Sequence, residues 1–111
     1  MMKVTIYTIH VGLAVNGDIR FSSYNRALLL DILRTRHPSG FTIFDGIGCF
    51  EGSEEPGCSV VIIDENDSED FIRETAKLVR CKLDQSEVWL TSRTENLERL
   101  TNSNQTQSQN K

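Results

Sequence analysis

From Lys3 to Val15 the chain is rich in Val, Ile, Thr and Tyr, and alternate positions form two sets: Val4, Ile6 and Thr8, then Thr5, Tyr7, Ile9 and Val11. A period of two in β-branched and aromatic residues predicts a strand, here apolar on both faces. In a lone two-layer domain one face of a sheet meets water, so the Tyr7, Ile9 and Val11 side is expected to be covered by something further. Asn16-Gly17-Asp18 is turn chemistry. Ser22 or Ser23 then offers an N-cap for a helix from about Tyr24 to Arg36, with Leu28, Leu29, Ile32 and Leu33 on its buried stripe. His37-Pro38-Ser39-Gly40 ends that helix, because proline cannot continue the hydrogen-bond ladder and glycine relieves the cap.

Phe41 to Phe50 reads as a second strand interrupted by Gly46 and Gly48, and paired glycines inside a strand predict a bulge or a close backbone approach. Glu51 to Gly57 is expected to be a hairpin loop, and the nearly continuous apolar run from Cys58 to Asp64 a central strand. Asp67 or Ser68 caps a second helix reaching to about Leu83, with Phe71, Ile72, Thr75, Ala76, Val79 and Leu83 at helical spacing. Alternation of Val88 and Leu90 makes Glu87 to Ser92 a closing strand, followed by a short amphipathic turn from Glu95 to Leu100. Residues 101–111 are almost wholly Asn, Gln, Ser and Thr, too polar for burial to offset the entropy of ordering, and are expected to form a disordered tail. Strand, helix, strand, strand, helix, strand is the ferredoxin-like split β-α-β order, an α+β domain over residues 1–100 with two helices on one face of an antiparallel sheet. The other face stays open, which invites assembly into a homo-oligomer, whether dimer, trimer or hexamer.

Composition narrows the partners. With 111 residues and no repeat the chain suits one domain, and at 38% hydrophobic residues it has enough for a core. A net charge of −4 disfavours a sequence-independent grip on phosphate backbones, so no nucleic acid polymer is expected as a partner. No apolar run approaches the ~20 residues of a membrane span, and the first residues do not read as a signal peptide, so a cytoplasmic protein away from membranes is expected. Cys49, Cys58 and Cys81 are odd in number and far apart, which suits reduced, mostly buried thiols better than a disulfide framework.

Chemistry is sparser. The run Asp64 to Asp70 alternates oxygen-bearing residues as a calcium loop does, but its sixth position is Glu69 where glycine is needed and its twelfth is Thr75 where a bidentate glutamate is needed. A solvated acidic helix N-terminus accounts for it. His10 and His37 lack partners at metal-ligand spacing, so no metal site is expected. No Ser-His-Asp or Cys-His order is present, and neither catalytic residues nor a cofactor are assigned to the single chain. Candidate ligand-binding residues are His10 on the first strand, Asp45 as a hydroxyl acceptor, and Gly46 and Gly48 where a backbone or ligand can approach closely. Trp89 and Arg93 complete the set, because an aromatic plane with a guanidinium fork suits a nucleotide. The expected partner is therefore a small anionic nucleotide-like ligand.

The opening Val4 to Leu13, the segment Gly40-Phe41-Thr42-Ile43-Phe44-Asp45-Gly46-Ile47-Gly48 and the strand from Gln85 to Leu90 together resemble small phage-encoded proteins of ferredoxin-like or PII-like type, over about residues 3 to 92. The opening is most similar to the first Thoeris anti-defence family, which implies an oligomeric sponge sequestering a nucleotide-like defence signal in pockets between subunits, in the host cytoplasm. Gly48-Cys49-Phe50 also resembles a step in phage S-adenosylmethionine-degrading enzymes, which implies intersubunit active sites. The glutamate which that family carries in the preceding strand is missing, Thr42-Ile43-Phe44 standing there instead, and this departure counts against lyase activity. A likeness to PII-like regulators implies a long nucleotide-binding loop between strands two and three, whereas the expected loop is short. A protein-protein inhibitor acting through the open sheet is the remaining alternative.

Overall fold

The computed structural model describes residues 1–102, so most of the expected tail lies outside the described residues. Its elements run β1 (Met2–Gly12), α1 (Ser22–Arg36), β2 (Thr42–Phe50), β3 (Ser53–Asp64), α2 (Glu69–Lys82) and β4 (Trp89–Leu97). The sheet order is β2-β3-β1-β4, every neighbouring pair antiparallel. This is the split β-α-β arrangement expected from the element order.

Register decides which side chains share a face, since paired residues point the same way and neighbours along a strand alternate. Tyr7, Ile9 and Val11 of β1 stand beside Ile62, Val60 and Cys58 of β3. All six are buried, in one core with Leu29, Ile32 and Leu33 of α1 and Ile72 and Val79 of α2. The side of β1 expected to need an outside cover is thus covered by the chain's own helices; the bare face carries Ile6, Thr8 and His10. Ile9, Leu29, Leu33, Val60, Ile72, Val79 and Leu83 are almost wholly removed from water, each worth roughly 1.5–3 kcal/mol.

Several boundaries differ from the sequence reading for physical reasons. β1 stops at Gly12 rather than Val15, after which the Leu13 amide donates to Pro56 O at 3.1 Å. In an antiparallel strand the N–H and C=O of one residue face the same neighbour, so the N–H that Pro56 lacks would have pointed at β1, and the ladder ends there. Asn25 of α1 is buried and donates to Leu13 O and Leu83 O, tying the end of β1 to the end of α2. α1 begins at Ser22 without a side-chain cap, because a 3₁₀ turn at Ile19–Phe21, capped by Asp18, precedes it. At α2 neither Asp67 nor Ser68 caps by its side chain; the Asp64 carboxylate accepts from the amides of Asn66 and Ser68 at 3.0 and 2.7 Å. The acidic run is therefore a helix entry.

The largest departure concerns β2 and β3. Glu51 to Gly57 is no loop: Ser53–Asp64 is one strand, and the turn is the pair Glu51-Gly52, both with positive φ (49° and 83°). β2 and β3 thus continue past β1 as a two-stranded arm, from Ile47↔Pro56 to Phe50↔Ser53. The ladder along Gly46 and Gly48 keeps consecutive register, so the glycines make no bulge. β4 likewise extends through Leu97, with Glu95 and Leu97 paired to β1 in place of the amphipathic turn, and Leu100 is exposed. Of the three thiols only Cys58 is buried; Cys49 on the arm and Cys81 on α2 are exposed, and none is in a disulfide. Among the described residues no helix is long and apolar enough to cross a membrane.

Candidate functional site

The face away from the helices is ordered in rows. Trp89, His10, Ser59 and Phe44 occupy one row across β4, β1, β3 and β2. The imidazole of His10 is held there, its Nε2 3.0 Å from Thr91 Oγ1 and its Nδ1 3.4 Å from Ser59 Oγ. The next row toward the arm is Gly12, Gly57 and Gly46, three glycines in register on β1, β3 and β2. Beyond it stand Glu55 and Gly48. A row without side chains between rows that carry them is a trough, and a cavity of about 420 Å³ lies along it, lined by His10, Phe44, Gly46, Gly48, Glu55 and Ser59 among others. That volume falls within the range of small-molecule sites.

The glycines have different causes. A Cβ on Gly57 would come within 3.0 Å of the backbone oxygen of Val11, so the chain itself crowds that position, whereas one on Gly12 would meet only Gln85 Oε1, the end of a flexible side chain, at 3.1 Å. A Cβ on Gly46 would meet nothing within 4 Å, and on Gly48 only Glu55 O at 3.9 Å. Neither has a positive φ.

Four of the six expected site residues, His10, Asp45, Gly46 and Gly48, line this cavity. Asp45 does so with its carboxylate already engaged: paired with Cys58 on the helix side of the sheet, it accepts from Arg26 Nε at 2.8 Å and Nη2 at 3.1 Å. The Arg26 guanidinium holds that carboxyl below its usual range. Trp89 stands at the end of the His10 row, on the edge strand. Arg93 pairs with Ile6, six residues along β1 from Gly12, which at ~3.3 Å per residue puts it about 20 Å from the glycine row. Its Nε is 2.8 Å from Glu95 Oε1. The lining residues of the trough include no lysine or arginine.

Phe44, Ser59, Glu55 and the other two glycines of the row, Gly12 and Gly57, were not singled out from the sequence. Each sits in a strand segment read there as structural or as loop, and only register brings them together. Cys58 also touches the cavity, yet burial, with the charge of Asp45 adding to it, pushes its thiol up to about 11. It is protonated at neutral pH and a poor nucleophile. A second cavity of about 560 Å³ lies at the opposite end, beside the start of α2. Among its charged groups, Asp64 is committed to the α2 entry and Arg99 to Glu65.

No family model matches the chain, and no curated protein matches it in sequence. Solved structures do. A phage SAM lyase in complex with S-methyl-5'-thioadenosine is similar with a TM-score of 0.58 at 17% identity, over 88% of this chain and 89% of that one. A DUF3240 family protein from Shewanella baltica gives 0.59 at 12% identity, over 90% and 98%. A nitrogen regulatory PII-like protein from Thiomonas intermedia, bound to ADP, AMP and bicarbonate, gives 0.57 at 9% identity, again over 90% and 98%. At these identities the likeness is one of fold: the chain has the PII-like, ferredoxin-like fold.

Proposed function

We propose that this chain is a binding protein for a small adenosine-type, nucleotide-like ligand, held on the open face of the sheet where copies of the chain meet, and that it acts by sequestering that ligand. The observation that carries this reading is the glycine-floored trough beside the row Phe44, Ser59, His10 and Trp89, which offers bare backbone, aromatic planes and hydrogen-bonding groups together. Two proteins of the same fold hold adenine compounds, one S-methyl-5'-thioadenosine and the other ADP and AMP, which supports the choice of ligand class. An anionic end needs a cation that the trough of one chain lacks, so a neighbouring copy is to supply it; this is why the proposal includes assembly. Arg93, on the same open face, is the arginine best placed to cross such a seam. Sequestration, as by a phage anti-defence sponge, works stoichiometrically and needs tight capture, with ~nanomolar affinity corresponding to about −12 kcal/mol.

Native mass spectrometry of protein purified from cells tests this, followed by heat release and identification of what is freed. An oligomer carrying an adenosine-type mass, recovered unchanged after heating, is the expected result. Single chains without any retained small molecule would sink the reading.

A second reading is favoured by two observations: two structures of phage SAM lyases, with and without S-methyl-5'-thioadenosine, share the fold, and Glu55 lines the trough. Under it the chain cleaves S-adenosylmethionine, with Glu55 in the place of the glutamate missing from Thr42-Ile43-Phe44. Incubation with S-adenosylmethionine separates the two readings, since a sponge returns the nucleoside intact and an enzyme returns products.

A further inference from the structure

We infer that Gly46 and Gly48 are bare in order to seat the flat ring of an adenine-type base directly on the backbone of β2; this rests on the ligand-binding reading above and assigns the base to one end of the face. Glycine weakens a strand, having more backbone freedom to lose and no side chain to pack, so its presence at successive same-face positions of an edge strand needs a cause. The usual ones are missing here. Neither residue adopts positive φ, the ladder through them keeps consecutive register, and a Cβ on Gly46 would point into open space. By contrast Gly57, in the same row, is crowded by the backbone oxygen of Val11 at 3.0 Å. What Gly46 leaves room for is therefore outside this chain.

The surroundings specify the occupant. Phe44, one same-face position away on β2, supplies an aromatic wall, and the Ser59 hydroxyl stands on the same side, beside the His10 imidazole that Thr91 and Ser59 hold. Exposed peptide planes on β2 and β3 give a flat ring a surface to stack on, as glycine does wherever backbone and ligand approach closely. With no lysine or arginine lining the trough and the acidic Glu55 among its lining residues, an uncharged ring with amino groups fits, and a phosphate does not.

The test is calorimetric titration of adenosine into the wild type, Gly46→Val and Gly46→Ala, with a thermal melt of each. A β-branched residue suits an exposed strand position, so Gly46→Val is expected to melt at the wild-type temperature or above it while binding adenosine at least tenfold more weakly, with Gly46→Ala between. If the wild type binds and Gly46→Val binds equally, the seat is wrong while the ligand-binding reading stands. If the wild type does not bind adenosine, both fall. Should Gly46→Val lose its cooperative melt, Gly46→Ala decides on the same criterion.

Discussion

At the C-terminal end of α1, His37 is buried with its Nε2 2.9 Å from the Thr75 hydroxyl. Thr75 gives its one proton to Phe71 O at 3.0 Å and accepts from Arg36 Nε at 2.8 Å, so the imidazole is the donor at Nε2. Burial first, and the Arg36 charge second, lower the His37 pKa, with Asp64 opposing. The unfolded chain, with histidine near its ordinary value of about 6.5, takes up the proton first. Stability is therefore complete above about pH 6.5 and declines as pH falls from there toward the depressed folded value. Urea unfolding from about pH 7 to 5 should show this slope in the wild type and a flatter one in His37→Gln, which keeps an N–H donor without titrating; equal slopes would remove His37 as the cause. Gly57 gives a second residue-scale prediction. Because the atom facing its missing Cβ is backbone, Val11 O at 3.0 Å, Gly57→Ala should cost about 1–3 kcal/mol in urea unfolding. At this scale His10, Gly46 and Gly48 were legible, since a histidine and unexplained glycines interrupt an otherwise apolar strand pattern. The engagement of Asp45 was not: its partner Arg26 lies on a different element, nineteen residues earlier, and side-chain pairing across elements leaves no periodic trace.

The elements themselves were readable where a core stood behind them. β1, the second half of β3 and both helices bury one face each, and burial on one face is what writes a period of two or 3.6 into a sequence. The arm lacks that cause. Ile47 to Cys49 and Glu51 to Pro56 are exposed or half-buried, so Glu54, Glu55 and Pro56 show no alternation, and strand residues read as a loop. The turn, by contrast, has a local signature in Glu51-Gly52, whose paired positive φ angles are those of a type I′ hairpin. Glutamate is strained at φ 49°, where asparagine is accommodated more readily. Glu51→Asn is therefore expected to raise stability by about 0.5–1 kcal/mol, read as a higher melting temperature with the sheet's circular dichroism unchanged. An unchanged or lowered melt would mean that the arm is not part of the cooperative unit.

For the molecule as a whole, the open face is the unresolved surplus of apolar surface. Phe44 is 60% exposed, Ile63 52% and Trp89 63%, and all three point away from the helices. Single exposed apolar residues mean little, but aromatic and aliphatic side chains spread across the four strands of one face, beside Ile6 and Val61, form the kind of patch that marks an interface. The sequence reading expected such a face yet chose the wrong side of β1, because Tyr7, Ile9 and Val11 are the more apolar set and periodicity cannot say which set the helices cover. If copies of the chain meet on this face, Ile63 lies within the seam while contributing nothing to the core beneath. Ile63→Lys should then shift sedimentation from oligomer to single chains at micromolar concentration with the far-ultraviolet spectrum retained. It should also abolish ligand retention if an arginine from the neighbouring copy completes the trough. Wild-type protein that sediments as single chains, or an Ile63→Lys variant that assembles unchanged, would leave the glycine trough to work within one subunit, and its ligand would then have to be uncharged.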